Sequence, residues 1–173
     1  MRFKFINHII KFDEEFSHII FRCSNYLDPS WKVRKFFLCP NRYFGAPIGA
    51  LLVFFYPNNI LIKLSAVCFG FISTFLISEN ILKSIIQRTR PSYSFLRGSY
   101  SFPSSHAFNI VVICVLLYFL SEEKSLFGFL VHVTPILFVS FFRVSLGVHY
   151  IGDVLGGWFF AILYLTVIVY LLF

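Results

Sequence analysis

The chain has 173 residues, of which 58% are hydrophobic and 21% aromatic, while only 13% are charged; a soluble domain carries about 25% charged residues. That balance excludes a water-soluble domain and fits one membrane domain. Fifteen Lys and Arg against eight Asp and Glu give a formal net charge of +7, which in a membrane protein points to anionic headgroups or phosphate-bearing substrates; nucleic acid is set aside because the bases gather at the edges of apolar runs, with no aromatic-and-basic strand pattern between them.

The first stretch sets Lys11, Asp13, Glu14 and Glu15 among Ile and Phe at helical spacing. This predicts an amphipathic helix lying in the membrane interface, because burying those charges at the bilayer centre would cost roughly 3 kcal/mol each. Residues 1–12 lack the continuous apolar run and small-residue cleavage site of a removable signal peptide. Residues 28–42, with Pro29, Pro40, Lys32, Arg34, Lys35 and Arg42, read as a connector along the headgroups. The chain thus divides into an interfacial segment and connector, 1–42, and a transmembrane domain, 43–173. A short span is expected over 43–56, interrupted by Gly45, Pro47 and Gly49 and closed by a turn at Pro57, Asn58 and Asn59. Longer apolar runs predict spans over 60–78, 107–120, 126–142 and 154–173. The expected fold is all-α, an integral membrane helical bundle of about five transmembrane helices plus the N-terminal interfacial helix. Cys23, Cys39, Cys68 and Cys114 show no paired spacing, and Cys68 and Cys114 sit in apolar runs as small hydrophobes. His8 and His18 fall on the polar side of the first helix, and His132 falls mid-span as a packed polar residue expected to bond a neighbouring helix.

With these spans, residues 80–105 and 143–153 share one side of the membrane, so three polar clusters meet at one face. Lys83 is followed after six residues by Arg90 and Pro91; alone, this is equally a basic helix end with Glu79 as its partner one turn earlier. Pro103, Ser104, Ser105 and His106 open the next helix. Capping accounts for the serines, the first-turn amides form an anion site, and a His there is placed to give a proton to a departing oxygen. Arg143, His149 and Asp153 precede the last span. A helix beginning near His149 puts Asp153 one turn on, where a carboxylate fixes the imidazole tautomer and leaves the other nitrogen free to attack; the plain alternative is an interfacial His beside a satisfied Asp. Together the clusters supply cations for three charged oxygens, a nucleophile, an acid and an orienting carboxylate, which is what phosphate-monoester cleavage needs. Lys and Arg in the same pocket argue against a His and Asp metal site.

KSIIQRTRP, PSSH and RVSLGVHYIGD resemble the three signature motifs of the type 2 phosphatidic acid phosphatase (PAP2) family, in the family's order, across roughly residues 60–165. The resemblance implies that Lys83, Arg90, Arg143, Ser104 and the backbone amide of Ser105 bind the phosphoryl group. It implies also that His149 attacks phosphorus, His106 protonates the leaving oxygen, Asp153 holds His149, and water hydrolyses the phosphohistidine with no metal and no cofactor. The motifs depart where Ser105 replaces a common Gly and where Phe142 replaces a common Ser; neither change removes a charge or a nucleophile. Placement at the interface implies a phosphate ester whose leaving group is anchored in the bilayer, with no nucleic acid or obligate protein partner. Within the family, this short basic form is most similar to bacterial lipid A 1-phosphatases, followed by undecaprenyl pyrophosphate and phosphatidylglycerophosphate phosphatases, although no residue reads a glucosamine, a prenyl chain or a glycerol. All the Lys and Arg except Lys63 and Lys124 fall on the active-site side, so the positive-inside rule favours a cytoplasmic site, whereas the resemblance implies the periplasmic face of a bacterial inner membrane. Lys32, Arg34 and Lys35 are expected to collect anionic lipids. Two rival classes remain: a transporter or lipid-binding scaffold, which has no need of His149 and Asp153 at this spacing, and a vanadate-dependent haloperoxidase, whose relatives are soluble and larger.

Overall fold

The computed structural model of the protein describes residues 2–27, 68, 72–122 and 124–172. The regular elements among them are all helical: α1 (Arg2–Leu27), a π-helical segment (Thr74–Leu82) running into one turn of α-helix, α2 (Lys83–Ile86), then α3 (Ser105–Leu120), α4 (Leu126–Ser145) and α5 (Ile151–Leu172). The expected span 43–56, the connector 28–42 with its lipid-collecting bases, and most of the span 60–78 lie outside the described residues.

α3 is apolar all round, and a helix of that kind is stable only when surrounded. It packs against α4, α5 and the π-helical segment, and Ala107, Phe108, Val112, Ile113 and Cys114 are fully covered. Phe108, Val111 and Val112 join Ala161 and Leu165 of α5 in one core cluster, and Ala107, Val144 and Val154 form another near the polar end of the bundle. α4 is long and apolar enough to cross a bilayer, with 20 residues spanning about 30 Å at 1.5 Å per residue. The apolar stretches of α3 and α5, Ser105–Phe119 and Ile151–Val167, are shorter. Phe127, Phe138 and Phe141 on α4 and Leu155, Phe159 and Ile162 on α5 are exposed, an outward apolar surface suited to hydrocarbon. His132, inside α4, has Nδ1 2.6 Å from the Gly128 carbonyl of its own helix, while its ring meets Tyr118 of α3 edge-on.

The amphipathic helix expected at the N-terminus is α1, and it turns a strip that includes polar residues toward the bundle while several large apolar residues face outward. Ile9, Phe12, Phe16 and Ile19 are exposed, whereas Ser17 is fully buried and the Asp13 side chain is only 15% exposed. Lys11 and Glu15 stay outside as an ion pair one turn apart, at 3.7 Å. The apolar side is then available to acyl chains while Asp13 and Ser17 face the bundle, where α1 packs on α4 and α5. This seating depends on Gly147: its φ is +68°, and a Cβ there would fall 2.7 Å from the Phe21 ring and 2.8 Å from the Tyr93 ring. His18, assigned to the polar side, instead stacks on Tyr93 at 4.9 Å, while His8 is exposed.

Candidate active site

The link between α4 and α5 turns at Leu146 and Gly147 and delivers His149 just ahead of α5. The helix expected to begin near His149 starts at Ile151, so the pairing with Asp153 is that of a capped helix start. Asp153 Oδ2 accepts the Tyr150 amide at 3.0 Å and lies 3.4 Å from His149 Nδ1. Both side chains are sealed, at 1% and 0% exposure. A carboxylate at Nδ1 selects the tautomer that leaves a lone pair on Nε2, and Nε2 faces Arg90 Nη1 at 3.4 Å. Arg90 is held by donating to the Val148 carbonyl at 2.6 Å and to Ser99 Oγ at 3.1 Å. Burial first, then the positive fields of Arg143, Arg90 and Lys83, hold the His149 imidazole well below the usual histidine range, so it is neutral at neutral pH.

Arg143 reaches this centre from the last turn of α4, and Lys83 from the start of α2. Lys83 Nζ is 2.8 Å from Glu79 Oε1, and the lysine side chain is 8% exposed. Glu79 lies in the π-helical segment, a widened turn of the sort that recurs at functional sites. Gln87 ends α2 in the left-handed conformation, φ 51°, and the chain then swings Arg88 and Arg90 toward α5.

The two serines at the start of α3 divide. Ser104 occupies the cap position, but its side chain makes no cap bond; its hydroxyl is buried and has no hydrogen-bond partner among the described residues, while its amide donates to the Asp153 carbonyl at 2.9 Å. The Ser105 hydroxyl donates to the Glu79 carboxylate and accepts from the Ser78 hydroxyl, the latter at 3.0 Å. Side-chain capping, the plain reading of both serines, therefore gives way to one unpartnered hydroxyl and one tied to the π-helical segment. The first amides of α3, having no intrahelical acceptor, remain an anion site by construction. His106 is half-buried and lies within the fields of Arg143, His149, Lys83 and Arg90.

Lys83, Arg90, Ser104, Ser105, His106, Arg143, His149 and Asp153 thus gather at one end of the bundle, as the span parity requires. Beside Arg90 opens a cleft of about 590 Å³ walled by Ser92, Arg97, Ser99 and Tyr100. Sequence reasoning missed Arg88 and Asp13. Arg88 Nη1 lies 2.9 Å from Asp153 Oδ1 and Nη2 lies 2.9 Å from Asp13 Oδ2, with the guanidinium 4.0 Å from the Tyr150 ring centre. A second arginine beside Arg90 was the available signal for one of them; nothing in the sequence pairs Asp13 with a residue 75 positions away.

A family model described as the PAP2 superfamily matches residues 63–173. Phosphatidylglycerophosphatase B of Bacillus subtilis (strain 168) is 38% identical over 89 residues, covering 46% of this chain and 43% of that protein, so the match spans less than half of that relative's length. A crystal structure described as that of the first transmembrane PAP2 type phosphatidylglycerolphosphate phosphatase from Bacillus subtilis is similar at a TM-score of 0.67 and 25% sequence identity, over 91% of this chain and 82% of the other. With a transmembrane protein as its structural neighbour and an exposed apolar surface on α4 and α5, the bundle is an integral membrane fold. By the match to its family model over residues 63–173, the chain belongs to the PAP2 superfamily.

Proposed function

We propose that the chain is a metal-independent membrane lipid phosphatase that works through a covalent phosphohistidine on His149, with residues 43–173 as its catalytic domain. The observation that carries this reading is a sealed, neutral imidazole held between a carboxylate and a cation, Nδ1 3.4 Å from Asp153 Oδ2 and Nε2 3.4 Å from Arg90 Nη1. The buried, unpartnered Ser104 hydroxyl adds a donor with no protein acceptor among the described residues, which suits a phosphate oxygen.

In this reading Lys83, Arg90 and Arg143 meet the charged oxygens of the phosphoryl group, with the Ser104 hydroxyl and the Ser105 amide completing the cradle. His149 Nε2 attacks phosphorus in line with the lipid oxygen. The N–P bond forms as the P–O bond to the lipid breaks, and His106 transfers its proton to the departing alkoxide. Asp153 stabilises the imidazolium character that His149 acquires, as a carboxylate does for any catalytic histidine. Water then gives a proton to His106 and attacks phosphorus, breaking the N–P bond, so that inorganic phosphate leaves and both histidines return to their starting states.

Phosphatidylglycerophosphate is the substrate we favour, because both Bacillus relatives carry that activity in their names and the cleft beside Arg90 has room for a small polar headgroup. The lipid A expectation rests on chain length and basicity alone. We place the site on the periplasmic face of a bacterial inner membrane: Lys83, Arg88 and Arg90 are engaged in contacts within the site and are therefore poor topology signals, which weakens the positive-inside count. The test is inorganic phosphate release by purified wild type and His149→Ala from phosphatidylglycerophosphate, lipid A, undecaprenyl pyrophosphate and phosphatidic acid in detergent micelles. We expect release by wild type, fastest on phosphatidylglycerophosphate, and a loss of about a thousandfold or more in the variant. A folded wild type that releases phosphate from none of the four would contradict the reading and favour a scaffold or transporter.

A further inference from the structure

Asp153 divides its two oxygens. Oδ2 takes the Tyr150 amide and faces His149, whereas Oδ1 is held by Arg88 at 2.9 Å. A carboxylate gripped on one oxygen cannot rotate the other away from the imidazole, and one buried at 0% exposure needs a counter-charge to remain ionised. Arg88 is gripped in turn: its second nitrogen pairs with Asp13 Oδ2 at 2.9 Å, and its carbonyl accepts the Ser101 amide at 2.8 Å. The rigid fork of a guanidinium is suited to bridging two carboxylates in one fixed arrangement.

Asp13 belongs to α1, and α1 also caps the helix that carries Asp153. The amides at the start of α5 have no intrahelical acceptors. Asp13 Oδ1 accepts the Gly152 amide at 2.9 Å, and Ser17 Oγ accepts the Ile151 amide at 2.9 Å, so side chains more than a hundred residues distant in sequence finish the helix start. Gly152 makes this approach feasible: a Cβ there would lie 2.6 Å from Asp13 Oδ2 and 3.3 Å from Arg88 Nη1.

We propose that Arg88 and Asp13 are positioning residues for phosphoryl transfer, locking Asp153 against His149, so that docking of α1 on α5 is a condition for full turnover. This rests on the phosphatase reading above and extends it to residues outside the motif charges. His149 also faces Lys83, Arg90, Arg143 and His106, and Tyr150 beside it faces Asp13 and Glu14 of α1, so a pH profile reads the whole group against a background that the substitutions leave in place.

The test compares wild type, Arg88→Gln, Arg88→Lys, Asp13→Asn and the Arg88→Gln/Asp13→Asn pair for phosphate release from phosphatidylglycerophosphate micelles across pH, with His149→Ala as the blank and melting temperature measured on every sample. Arg88→Gln should lower kcat about 10- to 100-fold with KM within about threefold, the signature of a misplaced catalytic group. Its acid limb in kcat/KM should move to higher pH, because removing a cation beside the His149 and Asp153 pair eases protonation. Asp13→Asn keeps the acceptor for the Gly152 amide and should lower kcat about three- to tenfold, with its acid limb moved to lower pH because an anion is removed, while the pair should have a kcat no worse than Arg88→Gln alone, since Asp13 acts through Arg88. Arg88→Lys should recover part of kcat. An unchanged kcat and acid limb in Arg88→Gln, or a change in KM alone, overturns the proposal; if that variant does not fold, Asp13→Asn is judged by its kcat, and an unchanged kcat or a change in KM alone there overturns it. Wild type without His149-dependent release would remove the phosphatase reading and this proposal together, an outcome distinct from an active wild type with indifferent variants.

Discussion

At His149 the residue scale decides protonation. In the proposed mechanism the attacking form is the neutral imidazole, and burial together with Arg143, Arg90 and Lys83 holds its pKa well below the ordinary histidine value of 6.5. The sign follows directly: a lowered value keeps the nucleophile neutral further into acid, so the acid limb of kcat/KM should lie below pH 6.5, and a limb at or above that pH would contradict this description of the pocket. Native stability should fall over the same range, because the unfolded chain takes up a proton that the folded ring resists. Ser105 shows the limit of motif reading. It stands where the family commonly has glycine, and its hydroxyl is engaged by Glu79 and Ser78, so its side chain joins the Lys83 anchor in the π-helical segment and only its amide is left for an anion. The convergence of His149, Asp153, His106, Lys83, Arg90 and Arg143 was legible because the chemistry proposed for them is carried by residue type and short spacing. Arg88 and the side-chain contacts of Ser105 were not, because they depend on which neighbour each side chain turns toward.

Among the elements, α1 differs most from its sequence reading. Helical spacing predicted the helix correctly, but Asp13 appeared as one of several charges kept at the headgroups, and its inward partner Arg88 is reached only through tertiary packing. The start of α5 at Ile151 has a similar origin, since the Asp153 carboxylate accepts the Tyr150 amide and fixes where the helix begins. Gly147 links these two elements, through a left-handed φ of +68° and contact with the ring of Phe21. Gly147→Ala should therefore destabilise the protein by roughly 1–3 kcal/mol through backbone strain and loosen α1, lowering both melting temperature and phosphate release. Thermal unfolding in detergent, followed by activity on the same preparation, checks this; an alanine variant as stable and as active as wild type would mean that α1 is not seated through this glycine.

Taken whole, the molecule is a membrane bundle whose apolar surface faces outward and whose cations converge on one buried histidine. Composition and runs of hydropathy made the helical membrane class legible, and span parity made the convergence legible because it depends only on the order of apolar runs along the chain. The lipid was not legible, since headgroup recognition depends on the shape of the cleft beside Arg90, for which the sequence carries no motif. The central claim is that phosphorus passes through His149. It is tested most directly by mixing enzyme with phosphate-labelled phosphatidylglycerophosphate, quenching in alkali within one turnover, and mapping the labelled residue by peptide mass spectrometry. We predict an alkali-stable, acid-labile phosphoryl group on His149 that is absent from His149→Ala; a turning-over enzyme with its label on any other residue would contradict the mechanism.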